Sequence, residues 1–215
     1  MKKVILFFSL LLIASCNNEK DPIALVSSAK RLSDKSQFSE AKVLLLEAIN
    51  IDNKYPDAYI ELGRVYEGMD NNELAEKTYF KVLEVRPDHV YANLYISNLY
   101  RKTGKMKLAI DYLKKATELS KNEAWMYQLL GKLYLDTEQP QLAKASLDKA
   151  VSIDPNDHTY RNDLAKACVI VKDKDCALTN YKKVVELLDG MPKHNQEVLE
   201  ALDKIKNLEA SNSPN

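Results

Sequence analysis

Glycine is scarce in this 215-residue chain: five occur in all. A phosphate-cradling loop needs clustered glycines so that backbone amides can close on the anion, and tight β-turns need them for positive φ. The scarcity disfavours glycine-cradled nucleotide sites and a turn-rich β architecture, and it suits a mostly helical body. An excess of charge of one sign is missing too. The 31 basic residues balance the 31 acidic ones, for a formal net charge of +0, so the chain exerts no general electrostatic pull on nucleic acid. There are three histidines, His89, His158 and His194, and they lie far apart in the sequence. No spacing of His, Cys and carboxylates matches a metal set or a Cys/His nucleophile pair. Paired carboxylates with a shared pocket, a phosphate loop and a catalytic triad are likewise missing, so the expectation is a protein that is not an enzyme and needs no cofactor. What remains, 46% hydrophobic and 29% charged residues, is the composition of a folded chain with one domain or one short repeat array.

The first sixteen residues read MKKVILFFSLLLIASC. Lys2 and Lys3 precede an apolar run from Val4 to Ile13, and small residues follow. This is the layout of a secretory signal peptide, too short to span a bilayer comfortably. Ile13-Ala14-Ser15-Cys16 resembles the lipobox of bacterial lipoproteins. That resemblance implies removal of residues 1–15 and attachment of lipid to Cys16. Two or three acyl chains together anchor a protein stably on a membrane. Asn17, in place of an aspartate, favours the outer membrane facing the periplasm over the inner membrane. Without the leader, 29 basic residues stand against 31 acidic ones, a net of −2. The linker Asn17 to Asp21 spans at most about 17 Å, which keeps the first folded unit near the membrane.

The rest of the chain repeats. Ala41, Ala75, Ala109, Ala143 and Ala177 follow one another at 34-residue intervals. Small residues Ala29, Gly63, Ser97, Gly131 and Ala165 keep the same period, as do large apolar residues Leu45, Tyr79, Leu113, Leu147 and Tyr181. Tyr66, Tyr100 and Tyr134 each stand nine residues before their alanine. Each unit carries two apolar stripes at helical spacing, parted by a short polar turn such as Thr103-Gly104-Lys105. One helix pair cannot cover its own apolar face, so neighbouring pairs must stack.

With Tyr59, Leu62, Gly63, Tyr66, Ala75, Tyr79 and Pro87 in the unit from Pro56, the pattern resembles the tetratricopeptide repeat. The resemblance implies an all-α, right-handed solenoid of five helix pairs, over residues 22–55, 56–89, 90–123, 124–157 and 158–191. Residues 192–209 form a capping helix whose apolar stripe is Val198, Leu199, Leu202 and Ile205, and 210–215 form a disordered tail. The first unit departs from the signature at Ser28, Ala29 and Leu32, and the fifth has Arg161 and Cys168 at the aromatic positions.

In this family the first helix of each pair builds the concave surface. One groove column then holds Lys30, Arg64, Asn98, Lys132 and Lys166, and a second holds Ile23, Asp57, Tyr91, Trp125 and Thr159. Together with Ile60, Leu94, Arg101, Gln128 and Leu135 these give a groove of aromatic and aliphatic anchors flanked by cations. The expected partner is a protein or peptide segment with some acidic character, since Trp and Arg are the types most enriched at binding hot spots. The alternative is that the lysines are a solvated face and Trp125 packs between repeats. Ile60 and Leu94 stand where a chaperone-binding clamp would carry lysine, which argues against that role. Cys168 and Cys176 flank the turn of the fifth pair: either a disulfide or two small core residues. Small tetratricopeptide lipoproteins of this kind serve as pilotins, pilus-assembly accessories and cell-wall scaffolds. The resemblance thus implies an envelope adaptor, with a self-associating structural lipoprotein as the competing reading.

Overall fold

The computed structural model describes residues 21–210. The leader, Cys16, the linker up to Lys20 and the tail beyond Ala210 lie outside the described residues. Eleven α-helices and a short 3-10 turn make up the described part. The first helices of the five pairs are α1 Pro22–Asp34, α3 Pro56–Gly68, α5 Val90–Lys102, α7 Ala124–Asp136 and α9 His158–Ile170. The second helices are α2 Phe38–Ile51, α4 Asn72–Val85, α6 Met106–Leu119, α8 Pro140–Ile153 and α10 Lys174–Leu188. Both series start every 34 residues, the period of the alanines. The 3-10 turn Pro192–His194 then leads into α11, Asn195–Ala210. Among the described residues no helix is long and apolar enough to cross a membrane.

Each periodic column has a packing role. The five alanines are fully buried, and so are Leu45, Tyr79, Leu113 and Leu147, with Tyr181 at 2% exposure. Their large side chains lie against the small residues of the partner helix, and the approach is tight. A Cβ built on Gly131 would stand 2.6 Å from Leu147 Cγ. In the third pair the small residue also bonds, as Ser97 Oγ donates to the Ala109 carbonyl at 2.7 Å. Consecutive pairs then stack, second helix on the next first helix, with α1 also touching α3 and α7 touching α9.

The turn within each pair has one conformation throughout. Ser36, Asp70, Gly104, Glu138 and Lys172 all have positive φ, between 56° and 75°. The amide of the next residue reaches back to the carbonyl five positions earlier: Asn71 to Tyr66, Lys105 to Tyr100, Gln139 to Tyr134 and Asp173 to Cys168, each at 2.8 Å. This closes the end of the first helix as a left-handed C-terminal cap. The fifth unit's Arg161 takes over from the aromatic residue it replaces. Its Nε donates to the Pro155 carbonyl, six residues back, as the Tyr59 hydroxyl does to Asn53.

The expected stripe of α11 is corrected by the packing. Val198, Ala201, Ile205 and Leu208 face Ala165, Tyr181, Val184 and Leu188, whereas Leu199 and Leu202 are 61% and 46% exposed. The helix turns its i, i+3, i+7, i+10 row toward α10, because the small Ala201 allows close approach where Leu202 would not.

Candidate partner-binding groove

The first helices carry the groove residues, and the structure sorts them into three kinds. Tyr91 and Trp125 occupy equivalent positions in the first turns of α5 and α7, and they are exposed at 55% and 38%. Each is tethered at one edge. The Trp125 indole Nε1 donates to Glu123 Oε2 at 2.9 Å, and Tyr91 meets the His89 ring edge-on at 6.5 Å between centroids. Such rings present a large apolar face at little entropic cost. Arg64 and Glu67 of α3 and Tyr95 and Asn98 of α5 line a shallow depression of about 270 Å³. Arg101 is exposed one turn further along α5, and Leu135 is half-buried on α7.

Ile60 and Leu94 are buried rather than exposed along the groove. They are 6% and 7% exposed and belong to the central core cluster. That cluster runs from α3 to α8, so the row is buried by packing across three helix pairs, which a single helix considered alone leaves open. Where the equivalent position carries Gln128, the side chain instead reaches across to α9 and donates to Asp163 Oδ2 at 2.7 Å.

The cationic column is largely answered from within. Arg64 Nη1 meets the Glu61 carboxylate at 2.7 Å, and the ion pair outweighs the burial of the guanidinium to raise its pKa. Lys132 Nζ lies 3.1 Å and Lys166 Nζ 3.6 Å from Asp163, whose side chain is only 14% exposed. Sequence reading missed Glu61 and Asp163. Their signal was the column three residues before the cations, Ser27, Glu61, Tyr95, Leu129 and Asp163, which places a carboxylate one helical turn before Arg64 and before Lys166.

At the far end, Cys168 on α9 and Cys176 on α10 are joined by a disulfide, with Cα atoms 5.9 Å apart. Asp173 lies within 4.8 Å of both sulfurs and caps α10 through the Cys176 amide. The widely spaced histidines do not all stay apart. His158 and His194 come together, with ring centroids 5.1 Å apart. Stacking of successive units makes neighbours of positions about 34 residues apart, and these two are separated by 36.

Comparison with known proteins supports the same architecture. Two family models, both described as tetratricopeptide repeat, match residues 60–124 and 126–157. Among curated proteins, anaphase-promoting complex subunit 3 of Schizosaccharomyces pombe is 23% identical over 156 residues. That alignment covers 73% of this chain and 24% of the relative, so the chain spans about a quarter of its length. Among solved structures, the C-terminal part of a tetratricopeptide protein from Cytophaga hutchinsonii superposes with a TM-score of 0.77 at 19% identity, over 91% of this chain and 79% of that one. YrrB, described as a tetratricopeptide protein with an unusual peptide-binding site, gives 0.65 at 19% identity, over 86% and 94% of the two chains. Residues 60–124 and 126–157 of this chain thus carry tetratricopeptide repeats, and the described body is an all-α solenoid of that kind.

Proposed function

We propose that this protein is a lipid-anchored adaptor of the bacterial envelope, holding a segment of a partner protein in the groove of its first helices. It would serve the assembly of a pilus, secretion or cell-wall complex. The observation that carries this reading is the exposed pair Tyr91 and Trp125, repeated one unit apart on a fold whose role is protein–protein interaction. Exposed aromatic rings on rigid helices are anchors for a partner's apolar side chains. The pairing of Arg64 with Glu61, and of Lys132 and Lys166 with Asp163, shifts the emphasis from charge to these rings. An acidic partner segment must compete with Asp163 for the two lysines. The likeness to YrrB supports the peptide-binding part. The leader and the Ile13–Cys16 motif support the anchor.

The test is crosslinking in native membranes, comparing the natural protein with a Tyr91→Ala/Trp125→Ala variant of unchanged helicity. Capture of a defined partner by the former and its loss from the latter is the expected result. Equal capture by both would remove the groove reading. Cys16→Ser should move the protein from the membrane to the soluble fraction. The competing reading, self-association, rests on Leu199 and Leu202, whose exposure leaves an apolar strip on α11. A dimer dissociated by Leu199→Glu would favour it.

A further inference from the structure

We propose that His158, His194 and Glu197 form a three-ligand site for a divalent transition metal ion of the zinc class, clamping the C-terminal helix to the fifth helix pair. The three residues come from three elements. His158 opens α9, His194 ends the 3-10 turn, and Glu197 lies in the first turn of α11. Their potential ligand atoms all lie within 4.8 Å of one another.

The geometry has room for an ion between the three groups. His158 Nε2 stands 3.4 Å and His194 Nδ1 3.3 Å from the same atom, Glu197 Oε2. Both separations exceed the 2.9–3.0 Å of a well-formed N–H···O bond. They match the edge of a tetrahedron, about 3.3 Å, set by zinc bonds of about 2.0–2.1 Å to nitrogen and oxygen. Two imidazoles and one carboxylate are a donor set that suits zinc and its neighbours, with water completing the tetrahedron. The imidazoles are 27% and 20% exposed, so the site is partly shielded yet reachable.

The fold also leaves work for such a clamp. Apart from this corner, α11 is held by Val198, Ala201, Ile205 and Leu208 packed on α9 and α10 and by the exposed Lys182–Glu209 ion pair at 2.9 Å. An ion binding the folded protein and not the unfolded chain stabilises that docking, by an amount that grows with the logarithm of its concentration above the dissociation constant. The other grouping of donors, Cys168, Asp173 and Cys176, has its sulfurs joined in the disulfide.

The experiment uses the full chain, stripped of metal with a chelator and kept oxidised, titrated with zinc chloride by calorimetry. One-to-one saturable binding is expected, together with slower amide hydrogen exchange across residues 195–210. His158→Ala, His194→Ala and Glu197→Gln should each weaken binding by at least about tenfold, the effect that loss of even an outer-shell partner produces. A Cys168→Ser/Cys176→Ser variant should bind as the natural chain does. Absence of one-to-one binding, or binding unchanged in the His158→Ala/His194→Ala double variant, overturns the site. Binding without slowed exchange in α11 overturns the clamp.

Discussion

The Tyr79 ring lies so close to Gly63 that a Cβ on the glycine would stand 2.3 Å from Cε1. The ring cannot yield easily, since it is fully buried and its hydroxyl donates to Glu67 Oε1 at 2.5 Å. The close approach of α3 and α4 therefore depends on a missing methyl group. Gly63→Ala should destabilise the fold by about 1–3 kcal/mol, the usual range for overpacking. Urea unfolding would measure it; a change under half a kilocalorie would mean that the two helices part without cost.

Gly104 presents the opposite case. Nothing lies within 4 Å of its absent Cβ, but its φ is 75°. Here the constraint is backbone conformation alone, so Gly104→Ala should cost about 1 kcal/mol. The equivalent turn of the fourth pair carries Glu138 at φ 57°. Glu138→Gly should stabilise by about 0.5–1 kcal/mol, the relief of strain exceeding the entropy of the added glycine. Thermal unfolding of the two variants should move in opposite directions.

These turns also mark how far the sequence can be read. The alanine and large-apolar columns announce the helix pairs, because burial selects the same side-chain size in every unit. The left-handed turn residue does not announce itself, since Ser36, Asp70, Glu138 and Lys172 share the positive φ of Gly104 without sharing a side-chain type. The groove was legible only where one helix decides exposure. Tyr91 and Trp125 follow from their place at a helix start, whereas burial of Ile60 and Leu94 needs the neighbouring repeat. The meeting of His158 with His194 needed the stacking period combined with the 3-10 turn, a turn that no residue pattern before it signals.

His89 should make the fold sensitive to mild acid. Its Nδ1 accepts the Ala92 amide at 3.1 Å and so caps the start of α5, a bond that only the neutral ring can accept. Burial first, then the Arg86 guanidinium, pushes the ring's pKa below the ordinary 6.5. The unfolded chain then binds this proton more readily than the folded one. The cap's stability is present above about pH 6.5 and is lost as pH falls through that value toward the folded pKa. His89→Asn keeps a capping acceptor without a proton to bind. Its melting temperature should drop less than that of the natural chain between pH 7.5 and pH 5.5; equal drops would mean that His89 does not report through this cap.

The Cys168–Cys176 bond closes a short loop across the turn of the fifth pair, with a sequence separation of 8. A loop of that length should contribute about 2–3 kcal/mol by restricting the unfolded chain. Reduction should therefore lower the melting temperature of the natural protein. A Cys168→Ala/Cys176→Ala variant should melt at one temperature with or without reductant, near that of the reduced natural chain. A reductant effect that survives in the variant would assign the loss to something other than this bond.

Asp163 holds two of the groove's cations, Lys132 and Lys166, and its removal should act differently from theirs. Gln128, Lys132 and Lys166 all reach its carboxylate, and it is far less exposed than either lysine. Losing one lysine leaves the other in place, so Lys132→Ala and Lys166→Ala should each shift stability by less than about 0.5 kcal/mol. Asp163→Asn keeps the shape but leaves two cations facing each other with no anion between them, and it should cost about 1–2 kcal/mol. The effect should shrink in high salt, because both lysines are half-exposed and screened. In partner capture the signs reverse. Asp163→Asn releases Lys132 and Lys166 and should strengthen binding of an acidic segment, while Lys132→Glu should weaken it. Matching losses from both variants would show that the partner needs the Asp163 cluster intact and does not compete with it.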